Sequence, residues 1–126
     1  MSGTLFSVAL GGAIGASLRY LTNMSVMRVM GPGFPYGTMV ANVLGSLLMG
    51  VLVVVLARRG GNDLAPFLMT GVLGGFTTFS AFSLDTLTLF ERGEINLAGL
   101  YVGASVLLSL AAIAIGVLVA RMVVPA

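Results

Sequence analysis

Apolar positions in this chain do not alternate with polar ones; they fall into four long runs, Thr4–Met30, Gly37–Ala57, Pro66–Phe90 and Leu97–Val123. A helix needs about 20 apolar residues to cross a hydrocarbon core about 30 Å thick, and each run meets that length. Between them stand Gly31-Pro32-Gly33-Phe34-Pro35-Tyr36, Arg58-Arg59-Gly60-Gly61-Asn62-Asp63 and Glu91-Arg92-Gly93-Glu94. Glycine, proline and charge are the chemistry of turns. The pattern predicts an all-α membrane protein, a single domain over residues 1–126 with four transmembrane helices and both ends on one side. The first run is long and has no basic stretch ahead of it, so it reads as a retained span and not as a cleaved signal peptide.

Composition agrees and removes whole classes of function. Of 126 residues 58% are hydrophobic and 8% charged, where a soluble domain of this size carries about a quarter charged. Without Cys or His there is no disulfide, no thiolate or imidazole metal site and no histidine relay. All six cations are arginine, and the acids are Asp63, Asp85, Glu91 and Glu94, in loops or near membrane edges. No enzyme is expected. The net charge of +2 is scattered with no basic run, which gives no reason to expect a nucleic-acid partner.

Helical rise turns residue number into depth at about 1.5 Å per residue. On that ruler Arg19 on the first helix and Asn42 on the second share a level, about 8 Å inside the side opposite the termini, and Asp85 lies close to the same rim. The depths predict a vestibule lined by Arg19, Asn42 and Asp85. Orientation should follow the arginines, yet Arg58, Arg59 and Arg121 on one side balance Arg19, Arg28 and Arg92 on the other. A chain without bias is expected to insert both ways and to pair as an antiparallel, dual-topology homodimer about a two-fold axis in the membrane plane. The small residues Gly11, Gly15, Gly12 and Ala16, and Ser109, Ala112, Gly116 and Ala120, suit close helix packing of any kind.

The third run contains Gly71-Val-Leu-Gly74-Gly75-Phe-Thr77-Thr78-Phe79-Ser80-Ala81-Phe82-Ser83, its least helix-like stretch. Gly74 to Thr78 fall about 12 to 18 Å along, at the bilayer centre, so the sequence predicts a third helix broken at the midplane. Unwound backbone there must meet protein, water or an ion, and two breaks facing across the dimer axis would offer carbonyl oxygens to one shared cation. An unbroken helix crossing, packed through glycine with threonine hydroxyls bonded back to the preceding turn, fits the same residues.

Polar stripes cross the spans without charge. Thr38, Asn42 and Ser46 repeat at i, i+4, i+8 on the second helix and Tyr101, Ser105 and Ser109 on the fourth, while Phe79 and Phe82 stand beside Ser80 and Ser83. Each stripe also serves ordinary packing. Together they describe a path of hydrogen-bond donors and positive ring edges, with Arg19 at its mouth and no acid at its centre, which suits an anion.

Gly12-Ala-Ile-Gly15-Ala-Ser-Leu-Arg19, Gly37-Thr38-Met-Val-Ala-Asn42-Val-Leu-Gly45, the Gly71–Ser83 stretch, and Gly103-Ala-Ser105 with Ser109 resemble the Fluc (CrcB) fluoride channels across all four spans. The resemblance implies a fluoride-selective passive channel in the bacterial inner membrane that exports fluoride and relieves its toxicity. It further implies a dual-topology homodimer with two pores and a central structural sodium ion. By position, Gly74 and Thr77 would give sodium their backbone carbonyls, Phe79 and Phe82 would line the pore with ring edges, and Asn42 would orient those rings. Thr38 carries over as a pore position, and Thr78, Ser80, Ser83, Asp85, Tyr101, Ser105 and Ser109 would be pore or track positions. Ala81 stands where Thr is usual and Asp85 where Glu is common. A small multidrug antiporter of similar length would want a carboxylate in its first helix, where this chain has only Arg19, and a non-transporting assembly subunit would leave the polar stripes without a purpose.

Overall fold

A computed structural model describes residues 2–126. Among the described residues all regular structure is helical: α1 (Ser2–Met30), α2 (Tyr36–Arg59), a 3-10 turn (Asn62–Leu64), a π-helix (Pro66–Leu73), α3 (Gly74–Phe76), α4 (Phe79–Glu91) and α5 (Ile95–Val123). Four segments are long and apolar enough to cross a membrane: Ser2–Met30, Tyr36–Arg59, Asn62–Glu91 and Ile95–Val123. Each apolar run falls within one of these segments.

Two pairings organise the bundle: α1 packs chiefly on the π-helix and α3, and α2 on α5. Both rest on glycine. A Cβ on Gly15 would strike the Val72 carbonyl and come within 2.8 Å of the Phe76 nitrogen, and one on Gly75 would sit 2.7 Å from the Gly12 oxygen. On the other pairing, a Cβ on Gly50 would meet the Ile113 carbonyl and one on Gly116 the Leu47 carbonyl. Backbone against backbone is how membrane helices gain contact where lipid offers no hydrophobic drive. Little is buried otherwise, and large apolar side chains such as Leu5, Phe6, Leu107 and Met122 point outward, as a lipid-facing surface requires.

At the end that carries the loop from α1 to α2, the chain tucks inward. Gly31 takes φ +82° after α1, a value that favours glycine. Pro35 follows at φ −78°, ψ 63°, and the Tyr36 amide donates to the Phe34 carbonyl at 2.8 Å: an inverse γ-turn that opens α2. Phe34 is thereby turned onto a small core of Leu89, Ala98 and Tyr101. At the opposite end Arg58 donates to the carbonyls of Arg121 (3.0 Å) and Val124 (2.7 Å), closing the C-terminal turn of α5.

Candidate functional site: the Thr77–Thr78 segment and its groove

The third span changes backbone twice within a few residues. The π-helix passes into α3, and Thr77 (φ −88°, ψ 157°) and Thr78 (φ −153°, ψ 127°) are extended before α4 begins at Phe79. Extended residues inside a span present N–H and C=O groups that need partners. Asn42 of α2 supplies both for Thr78: its Nδ2 donates to the Thr78 carbonyl at 3.0 Å and its Oδ1 accepts from the Thr78 amide at 2.7 Å. One side chain thus does what a facing residue does in an antiparallel ladder. Thr78 Oγ1 in turn accepts from the Ala81 amide at 3.1 Å, the N-cap of α4.

These bonds redirect donors that a continuous helix would use. The Thr78 amide, which would serve the Gly74 carbonyl, goes to Asn42; the Ala81 amide, which would serve Thr77, goes to Thr78 Oγ1. The neighbouring carbonyls are otherwise occupied, with Leu73 accepting from the Thr77 amide (3.0 Å) and hydroxyl (2.9 Å), and Gly75 accepting from Arg19 Nε (3.1 Å). Gly74 and Thr77 therefore carry carbonyls released from helical bonding. Glycine packs this stretch on α1 and the Thr77 hydroxyl bonds back one turn, while the backbone at Thr77–Thr78 is extended.

Beside the extended pair lies a groove of about 340 Å³ between α2, α4 and α5, whose lining includes Asn42, Ser46, Thr78, Phe79, Phe82, Ser105 and Ser109 and no charged side chain. The Phe79 and Phe82 rings are 5.5 Å apart and tilted by 46°. Phe79 is 78% exposed, so this chain leaves one side of the groove open. Ser105 lines it at 5% exposure, and its hydroxyl has no hydrogen-bond partner among the described residues. An unpartnered buried hydroxyl costs free energy unless something accepts from it or donates to it.

The remaining candidate residues are distributed around this groove. Tyr101 is fully buried, stacks on Phe82 (5.3 Å, 36°) and donates its hydroxyl to Asp85 Oδ2 at 3.0 Å. Asp85, Ala81 and Thr38 line a separate cavity of about 400 Å³ under the Gly31–Tyr36 loop. Ser80 and Ser83 lie on the exposed side of α4, with Ser80 Oγ 3.2 Å from Thr78 Oγ1 and Ser83 donating to the Phe79 carbonyl at 3.0 Å. Arg19 and Asn42 both reach the Gly75–Thr78 stretch, whereas Asp85 sits two helical turns farther along, beside the cavity under the loop. Depth along single helices does not reveal which side chains meet across them, and so gives neither the Tyr101–Asp85 bond nor the place of Phe34 against Tyr101.

Residues 6–117 match the family described as CrcB-like protein, Camphor Resistance (CrcB). The chain is 65% identical over 121 residues, covering 96% of it and 97% of the relative, to a protein of Cereibacter sphaeroides (strain ATCC 17029 / ATH 2.4.9) named fluoride-specific ion channel FluC. Relatives of the same name in Ruegeria sp. (strain TM1040) and Paracoccus denitrificans (strain Pd 1222) are 60% identical over 119 residues and 58% over 121, each across at least 94% of both chains. Four membrane-length helices joined by short turns, an interrupted third span clamped by Asn42, and a match over nearly the whole chain lead to one conclusion: this protein is a multi-pass membrane protein of the CrcB family.

Proposed function

We propose that this protein is a passive, fluoride-selective channel of the bacterial inner membrane that lets accumulated fluoride leave the cell. The observation that carries the reading is the charge-free groove whose lining holds a buried Ser105 hydroxyl, unpartnered among the described residues, together with the Phe79 and Phe82 rings and the Asn42–Thr78 clamp. A small, strongly hydrated anion gives up water only to donors held close, and hydroxyls and ring edges offer positive dipoles without the fixed charge that would trap it. Asn42 holds the start of α4, and so holds the two rings that α4 carries. Ser109, Ser80, Ser83, Thr38 and Thr78 extend the polar route, and Tyr101 with Asp85 holds its wall.

Half a route needs its complement. Phe79 is exposed at the groove's rim, as are Ser80 and Ser83, and polar groups within a span are costly against lipid. A second copy inserted the opposite way round would cover this face and close two grooves into two pores. In that pair the breaks meet near the two-fold axis at the midplane. The carbonyls of Gly74 and Thr77 would hold a sodium ion there: neutral oxygen ligands suit a hard monovalent cation. The ion would supply positive charge that ties the released carbonyls of the two copies together. Arg19, bonded to the Gly75 carbonyl, braces the same segment from α1.

A passive channel and a proton-coupled antiporter differ in what drives the ion. In planar bilayers with the purified protein, we expect a fluoride current that reverses at the fluoride equilibrium potential whatever proton gradient is imposed. A reversal that follows the proton gradient would overturn the channel reading.

A further inference from the structure

We propose that Phe34, in the loop between α1 and α2, is a positioning residue for the groove ring Phe82 and acts on it through Tyr101. The inference rests on the channel reading above and adds a residue to it. Four ring contacts join into one chain: Tyr36 to Phe34 at 4.8 Å, Phe34 to Tyr101 at 5.5 Å, Tyr101 to Phe82 at 5.3 Å, and Phe82 to Phe79 at 5.5 Å. The aromatic column runs from the turn at the membrane edge to the anion groove.

Its middle member is enclosed and held at both ends. Tyr101 is 0% exposed; its hydroxyl is tethered to Asp85, its ring lies tilted on Phe82, and Phe34 meets it edge to face at 86°. That geometry matches the aromatic quadrupole, which favours edge-to-face contact and resists rotation away from it. Phe34 is itself fixed, because Pro35 presets the inverse γ-turn and the Tyr36 amide closes it on the Phe34 carbonyl. The turn sets Phe34, Phe34 sets the Tyr101 ring plane, and the Tyr101 ring plane sets the tilt at which Phe82 presents its edge. Hydroxyl tether and ring contact divide the task, with Asp85 holding the far end of Tyr101 and Phe34 holding its body.

If Phe34 only filled space, an aliphatic side chain of similar bulk would cost stability and leave conduction by the assembled protein unchanged. The test is fluoride efflux per assembled protein from liposomes for wild type, Phe34→Leu and Phe34→Tyr. Near-UV circular dichroism of the detergent-purified proteins accompanies it; tyrosine reports there without tryptophan, since the chain has three Tyr and no Trp. We expect Phe34→Leu to assemble, to lose tyrosine dichroism and to conduct about fivefold more slowly, within the range an aromatic pair's geometry supplies. Phe34→Tyr keeps a ring and should restore efflux, its own added tyrosine setting its dichroism apart from the comparison. In a Tyr101→Leu background, Phe34→Leu should slow efflux no further, because the intermediary is gone. Wild-type efflux in assembled Phe34→Leu, or an equal further loss in the Tyr101→Leu background, overturns the inference. Absence of fluoride efflux in the wild type overturns the channel reading instead. Should Phe34→Leu fail to assemble, Phe34→Met takes its place under the same criteria.

Discussion

Replacing Asn42 strikes the bond pair that holds the extended segment together. In Asn42→Ala the Thr78 amide and carbonyl lose partners at 2.7 and 3.0 Å. A buried backbone group left unpaired costs about 1–3 kcal/mol, so the two together cost about 2–6 kcal/mol. The adjoining groove admits water, which offsets part of this, and the lower end, about 2–3 kcal/mol, is expected. At 1.4 kcal/mol per factor of ten, the intact arrangement then falls about thirty- to hundredfold in population. Efflux per assembled protein should drop accordingly, together with the thermal midpoint in detergent. Asn42→Asp separates loss of a donor from loss of a side chain. Ionised, the carboxylate still accepts from the Thr78 amide but faces the Thr78 carbonyl with a second acceptor; protonated, it regains a donor there. Its activity is therefore present at pH values below the introduced group's pKa and lost as pH rises through it, whereas Asn42→Ala should show no such recovery. Efflux is measured between acid and neutral pH, with protein-free liposomes subtracted. Wild-type rates in Asn42→Ala, or an Asn42→Asp variant no more active in acid, would refute the clamp.

Other outcomes follow from the same geometry. Phe82→Ile keeps bulk but removes the ring edge, so fluoride efflux should collapse while size-exclusion behaviour stays that of wild type; undiminished efflux would exclude a role for the ring. Gly15→Ala drives a methyl group into the Val72 carbonyl and toward the Phe76 amide, and should cost about 1–3 kcal/mol of stability by overpacking. Gly12→Ala, three residues earlier on the same helix and with open space around the added carbon, should change the thermal midpoint little, and the comparison is read in one melting experiment. Withdrawal of sodium should slow efflux or weaken the dimer, and indifference at every sodium concentration would remove the proposed ion from Gly74 and Thr77.

Much of this architecture is written in the sequence because lipid imposes a coarse rule. Runs of about 20 apolar residues have few other uses, so the four spans and their turns follow from counting. The third span's weak helix formers are equally legible, since glycine at 74 and 75 and threonine at 77 and 78 have low helix propensity. Asn42 stands out as an amide amid apolar neighbours, but its two-bond grip on Thr78 depends on helices 36 residues apart in sequence meeting at one level. The same limit covers the Tyr101–Asp85 bond and the bond from Arg19 to the Gly75 carbonyl, each made between different helices. Phe34 was concealed differently: Gly-Pro-Gly-Phe-Pro-Tyr reads as a solvent-facing turn, and only the inverse γ-turn at Pro35 points the ring inward. Spacing along one helix reveals a stripe; it does not reveal which stripe of another helix faces it.

In the proposed channel a donor-lined, charge-free groove strips water from fluoride and excludes larger halides. The most direct measurement loads liposomes bearing the purified protein with both potassium fluoride and potassium chloride, opens a potassium pathway, and follows both anions with selective electrodes. We expect rapid fluoride loss while chloride stays inside; loss of both anions at equal rates, or of neither, would rule out a fluoride-selective groove.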